Sequence, residues 1–118
     1  RRITLNSGSF DGQIVVRDTD ASGSGGGTQE YVIVVGQIRE NLTRIKFQHG
    51  PILEAGLNGL TDESLLAVVL DRLTAFGNGP FSSKETREAA VCVRMALSWL
   101  EARQRERAAR GVEGKLLP

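Results

Sequence analysis

The chain has 118 residues, the size of one ordinary domain, and a domain of that length buries roughly two thirds of the surface its unfolded form exposes. With Lys+Arg 15 against Asp+Glu 14 the net charge is +1, so the global balance calls for no DNA, membrane surface or acidic partner, and any basic character must be local. Cys92 is the sole cysteine, which excludes an internal disulfide and a cysteine metal cluster and points to a reducing cytoplasm.

No apolar run is long enough to span a bilayer, and no secretory leader is expected, although the chain begins at Arg1. The Asn41-Leu42-Thr43 sequon would matter only on a secretory route.

The first half reads as β. Ile14-Val15-Val16, Tyr31-Val32-Ile33-Val34-Val35 and Ile45-Lys46-Phe47 are rich in β-branched and aromatic residues and are separated by turn formers. Ile3-Thr4-Leu5 adds a short strand, with Asp11-Gly12 as a tight turn before the next. Short spacing favours an antiparallel meander. Asp20 to Gly27 is a flexible connection, not a phosphate loop, because neither a helix pattern nor a lysine follows it.

From Gln48 to Leu60, "QHGPILEAGLNGL" contains the turn dipeptides Gly50-Pro51 and Asn58-Gly59 and reads as an irregular, constrained connection. Helical spacing then takes over. Thr61 is a good N-cap, Asp62 and Glu63 suit the helix dipole, and Leu65, Leu66, Val69, Leu70 and Leu73 form an apolar stripe that ends near Gly77-Asn78-Gly79-Pro80. Ser82 or Ser83 caps a second helix running from about Lys84 to Arg110, with Ala90, Val93, Leu97 and Leu100 on one face and Ala89, Ala96 and Trp99 widening it.

The expected architecture is α+β: a small N-terminal antiparallel sheet followed by a C-terminal α-helical hairpin. It forms one domain over residues 1–118, with a β region at 1–48, a Gly-rich connection at 49–60, the hairpin at 61–110 and a tail at 111–118. A projecting apolar helix carrying Trp99 finds cover in another subunit, so the protein is expected to oligomerise through its long helices.

The last helix is loaded with arginine. A Glu four residues before an Arg is the favourable helical order, and Glu101 is so placed for Arg105, as is Glu106 for Arg110. Arg107 instead has Arg103 four residues before it. The two form a forked cationic pair that helix neighbours barely neutralise, suited to holding phosphate oxygens bidentately. The other reading is that they complement the helix dipole, with Gly111 as the C′ residue. Three lysines and scarce aromatics favour a small anionic ligand over a long polyanion.

Little else carries chemistry. His49 precedes Gly50-Pro51 with no nucleophile beside it, and reads as a loop histidine more readily than as a base. Cys92 reads as a small core residue, Asp62-Glu63 as a cap, and no metal-ligand spacing occurs. An enzyme is the weaker class, and no cofactor is expected.

The segments "HGPILEAGLNGLTDESLLAVVLDRL", "GNGPFSSKE" and "ARQRERAARGVEGK" resemble the phage Thoeris anti-defence sponge family. The resemblance covers roughly Ile45 to Lys115, and its most specific part is Arg-x-x-x-Arg-x-x-Arg-Gly-Val-Glu-Gly from Arg103 to Gly114. It implies a non-enzymatic phage or prophage protein that sequesters, without cleaving, the cyclic ADP-ribose isomer (gcADPR type) made by a bacterial Toll/interleukin-receptor-domain enzyme in the infected host's cytoplasm. Relatives also capture cyclic di- or trinucleotides of cyclic-oligonucleotide immunity, and assemble as dimers or as hexamers built from three dimers.

The same resemblance matches Phe76 to an aromatic that stacks on the base, and Arg103 and Arg107 to the arginines that hold the phosphates. Where relatives carry an asparagine after Arg-Glu, this chain reads Lys84-Glu85-Thr86, a hydroxyl in place of an amide. Within this chain alone, Phe76 could instead be core and Thr86 a first-turn helix residue. Thr86 and Arg103 stand 17 positions apart on one expected helix, about 25 Å along its axis, too far for one mononucleotide-sized ligand. If both touch one ligand, the helix must pair antiparallel with its copy in a second subunit. Two alternatives remain beside the sponge: a small oligomeric nucleic-acid-binding phage regulator using the basic helix end, and a phage scaffold protein without a ligand.

Overall fold

The computed structural model describes residues 2–3, 12–16, 30–35 and 42–111. The expectations for Thr4-Leu5, Asp11, the Asp20 to Gly27 connection, Asn41 and the tail from residue 112 onward lie outside the described residues. What is described forms two compact units, one reaching to Leu60 and one starting at Thr61.

The first unit is a four-stranded antiparallel sheet in the order β1 (Arg2–Ile3), β2 (Gly12–Val16), β3 (Glu30–Val35), β4 (Leu42–Lys46). The meander expected from closely spaced β-branched runs is what forms. β3 is flanked on both sides, with Val32 opposite Val15 and Arg44, and Tyr31 opposite Val16 and Ile45. Val32 is its buried residue. Tyr31 meets Phe47 edge to face, ring centres 5.8 Å apart, which ties β3 to the chain leaving β4.

The connection after β4 is held by side-chain amides. The Gln48 Nε2 group donates to the carbonyls of Gly50 at 3.1 Å and Gly56 at 2.7 Å, while its Oε1 accepts from the Asn58 N–H at 3.0 Å. Asn58 in turn accepts from the His49 N–H and donates to the His49 carbonyl, both at 2.8 Å. These two amides satisfy backbone groups that no ladder serves. A four-residue helix, α1 (Ile52–Ala55), sits inside the braced loop where the sequence suggested only irregular backbone.

The second unit is the helical hairpin α2 (Asp62–Gly77) and α3 (Lys84–Ala109), packed against each other. The start of α2 is a reciprocal cap: the Ser64 N–H donates to Thr61 Oγ1 and the Thr61 N–H donates to Ser64 Oγ, both at 3.1 Å. Thr61→Ala is expected to lower stability by about 1 kcal/mol, read as a lower urea midpoint at unchanged slope. Ser83 caps α3, accepting from the Thr86 N–H at 3.1 Å. At its far end Gly111 takes φ 73°, a left-handed ending that glycine accepts without a Cβ penalty.

Leu65, Leu66, Leu70 and Leu73 of α2 are half-buried, as are Val93, Ala96, Leu97 and Leu100 of α3, with Ala90 buried among them. Four expectations fail at the edges of this seam, the first being Ala89, which is exposed and does not widen the packed face. Val69 is exposed, Cys92 is exposed and not core, and Trp99 does not widen the packed face but stands 75% exposed. At 100° per residue Trp99 and Cys92 fall nearly opposite Leu97, and Val91, Met95 and Trp99, four positions apart, make an exposed apolar stripe along the outer side of α3.

Candidate functional site

Phe76 lies in the last turn of α2 and is 55% exposed, so it is not core. Four residues earlier on the same helix, Arg72 brings its Cζ to 5.4 Å from the ring centre, within cation–π range. Thr86 is in the first turn of α3, where its hydroxyl accepts a hydrogen bond from Ser83 Oγ at 3.0 Å. The first-turn reading of Thr86 therefore describes its state in the free chain.

Arg87 follows. Its Nη1 donates to Ser82 Oγ, and its stem passes so close to Gly77 that a Cβ built there would meet Arg87 Cγ at 3.4 Å. The hairpin tip thus carries two exposed aromatics, Phe76 and Phe81, two guanidinium groups and the hydroxyls of Ser82, Ser83 and Thr86. Sequence reasoning picked out Phe76 and Thr86 but not Arg72 or Arg87. The Arg72–Phe76 spacing of four on a helix was the signal that could have found the first.

Arg103 and Arg107 occupy the other end of α3 and are not equivalent. Arg103 is exposed, whereas Arg107 is 8% exposed and engaged in an interaction of its own. Positions 93, 97, 100 and 107 continue one helical face, so Arg107 extends the seam of Val93, Leu97 and Leu100, whereas Arg103, about 40° round the helix from it, is exposed. A buried guanidinium persists only with partners, so the idea that the chain leaves Arg107 un-neutralised does not hold. Arg110 pairs with Glu106 through two contacts, Nη2 to Oε2 at 3.1 Å and Nε to Oε1, as its spacing suggested. The Glu101–Arg105 pair expected on the same grounds is not among the ion pairs of the described residues.

Within one chain α3 runs unbroken between the two groups, and the 17 residues from Thr86 to Arg103 span about 25 Å. The fold therefore brings Phe76 and Thr86 to one end and Arg103 and Arg107 to the other. His49 has an exposed side chain, with its backbone held by Asn58. Among the described residues no group of three or more His, Cys, Asp or Glu could hold a metal, and no helix is long and apolar enough to cross a membrane.

No family model matches the chain. A curated relative does: Thoeris anti-defense 1 of Bacillus phage SBSphiJ7 is 39% identical over 92 residues, which cover 78% of this chain. The match spans 63% of that relative's length. The motifs quoted between His49 and Lys115 and this likeness agree, and the chain belongs to the Thoeris anti-defence family.

Proposed function

We propose that this chain is a phage anti-defence protein that acts inside the infected bacterial cell by binding and withholding the nucleotide signal of Thoeris immunity, a cyclic ADP-ribose isomer, without cleaving it. The observation that carries the reading is the 39% identity with Thoeris anti-defense 1. The residues supply compatible chemistry. An exposed phenylalanine suits stacking on adenine, and an exposed arginine suits a pyrophosphate. Arg107 is already engaged within the chain, so the phosphate contact is assigned first to Arg103. Cyclic di- and trinucleotides of cyclic-oligonucleotide (CBASS) immunity are further candidate ligands.

The site is proposed to lie between two subunits. Two copies of α3 running antiparallel would set Phe76 and Thr86 of one beside Arg103 of the other, which the 25 Å separation forbids within one copy. Val91, Met95 and Trp99 give such a pairing an apolar surface to cover, and a homodimer, or a hexamer of three dimers, would bury it. Light scattering is expected to give at least a dimer, and Trp99→Glu to shift it to monomer with loss of ligand binding. A monomeric parent chain would remove the two-subunit site.

Calorimetric titration with glycocyclic ADP-ribose, cyclic ADP-ribose and a panel of cyclic di- and trinucleotides tests the function. Saturable binding of one of these small molecules supports it. Binding of DNA or RNA of many sequences, falling steeply with salt, together with silence across the panel, would favour the nucleic-acid regulator instead.

A further inference from the structure

The hairpin tip holds a cation that the family match does not use. Arg72 lies over one face of the Phe76 ring, Cζ to centre 5.4 Å, so the ring offers a ligand its other face. Arg72 takes no part in the ion pairs found among the described residues, and its side chain is exposed. Arg87, the other guanidinium at the tip, is tied to Ser82. Arg103 is about 25 Å away from Thr86 along the same helix.

A base stacked on the open face of Phe76 carries its phosphate one sugar away. Arg72, already drawn over the ring by its quadrupole, is the cation of the same chain best situated to meet that charge. We propose that Arg72 contacts the ligand directly: it closes one face of Phe76, so that the base stacks from the opposite side only, and it donates to a phosphate of the nucleotide so bound. The inference rests on the reading of Phe76 as the base-stacking residue. It adds a phosphate contact from the subunit that holds the base, beside the one assigned to Arg103.

The test is titration of glycocyclic ADP-ribose into the full chain and its Phe76→Ala, Arg72→Ala and Arg72→Lys variants at low and at physiological salt, with thermal melts of each. Arg72→Ala is expected to bind about 10-fold more weakly and with a shallower salt dependence, and Arg72→Lys to recover most of the loss. Melting temperatures should stay within a few degrees of the parent, because an exposed i,i+4 pair contributes little to stability. If Phe76→Ala loses binding while Arg72→Ala keeps the parent's affinity and salt dependence, Arg72 serves only the helix and the proposal is overturned alone. If Phe76→Ala binds like the parent, or the parent does not bind, the stacking reading fails and this inference fails with it.

Discussion

Replacing Arg103 by alanine is expected to weaken capture of glycocyclic ADP-ribose by at least about 100-fold, roughly 2.7 kcal/mol, while leaving the melting temperature within about 3 °C of the parent. The size follows from what the proposed site would lose: a bidentate, charge-assisted contact to a phosphate between two subunits. The unchanged stability follows from exposure, since Arg103 leaves the packed seam of α3 at the turn where Arg107 continues it. Arg103→Lys should recover only part of the affinity, because an ammonium cannot reproduce the planar fork. Arg105→Ala, two positions on and also exposed, is the control. Equal losses at 103 and 105 would mean a diffuse electrostatic attraction and not a positioned contact.

A second large effect is expected at Gly59, and on stability instead of binding. A Cβ at this position would lie 2.5 Å from both the carbonyl carbon and oxygen of Phe47 and 2.8 Å from the Gln48 nitrogen. All three are backbone atoms that no side-chain rotation can move aside. They belong to the crossing where the Gln48 N–H donates to the Leu60 carbonyl at 2.8 Å and the Leu60 N–H donates to the Lys46 carbonyl at 2.9 Å. Gly59→Ala must therefore open that crossing or distort it, at a cost of about 2–4 kcal/mol. Hydrogen exchange reads the effect locally: the Gln48 and Leu60 amides should lose protection by about 30-fold or more, whereas amides in the middle of α3 should hardly change. Parent-like protection at Gln48 and Leu60 would contradict this account of the loop.

The difference between these two residues also marks how far the sequence could be read. Signals that act over three or four positions were legible. Thr61, Ser83 and Gly111 bound the helices where capping chemistry puts them, and the β-branched runs found their strands. Contacts bridging eight to twelve positions were not legible. Nothing local tells that Gln48 and Asn58 brace one loop with their amides, or that Gly59 must pass against Phe47. The arginines fall between these cases. Arg103 and Arg107 stand four positions apart on one helical face, so spacing reads them as a pair, yet one is exposed and the other buried.

The same limit applies to the candidate site. Phe76 could be chosen by its resemblance to a stacking aromatic, and its exposure agrees with that role. Thr86 was chosen as the position of a missing amide, and in the free chain its hydroxyl is occupied by Ser83. Accepting from Ser83 leaves Thr86 its own O–H to donate, a single donor where the side-chain amide it replaces carries two donors and an acceptor. Arg72 was within reach of the four-residue spacing to Phe76, whereas Arg87 beside Gly77 and Ser82 required the geometry.

The central claim, that the protein holds its signal intact, is tested most directly by release. Glycocyclic ADP-ribose is incubated with an excess of the chain, the unbound fraction is removed by ultrafiltration, the protein is denatured by heat, and the liberated nucleotide is identified by mass spectrometry. The account predicts that the filtrate is emptied of signal and that heating returns it chemically unchanged, in proportion to the protein present. Signal left in the filtrate, or a linear or hydrolysed product after heating, would contradict it.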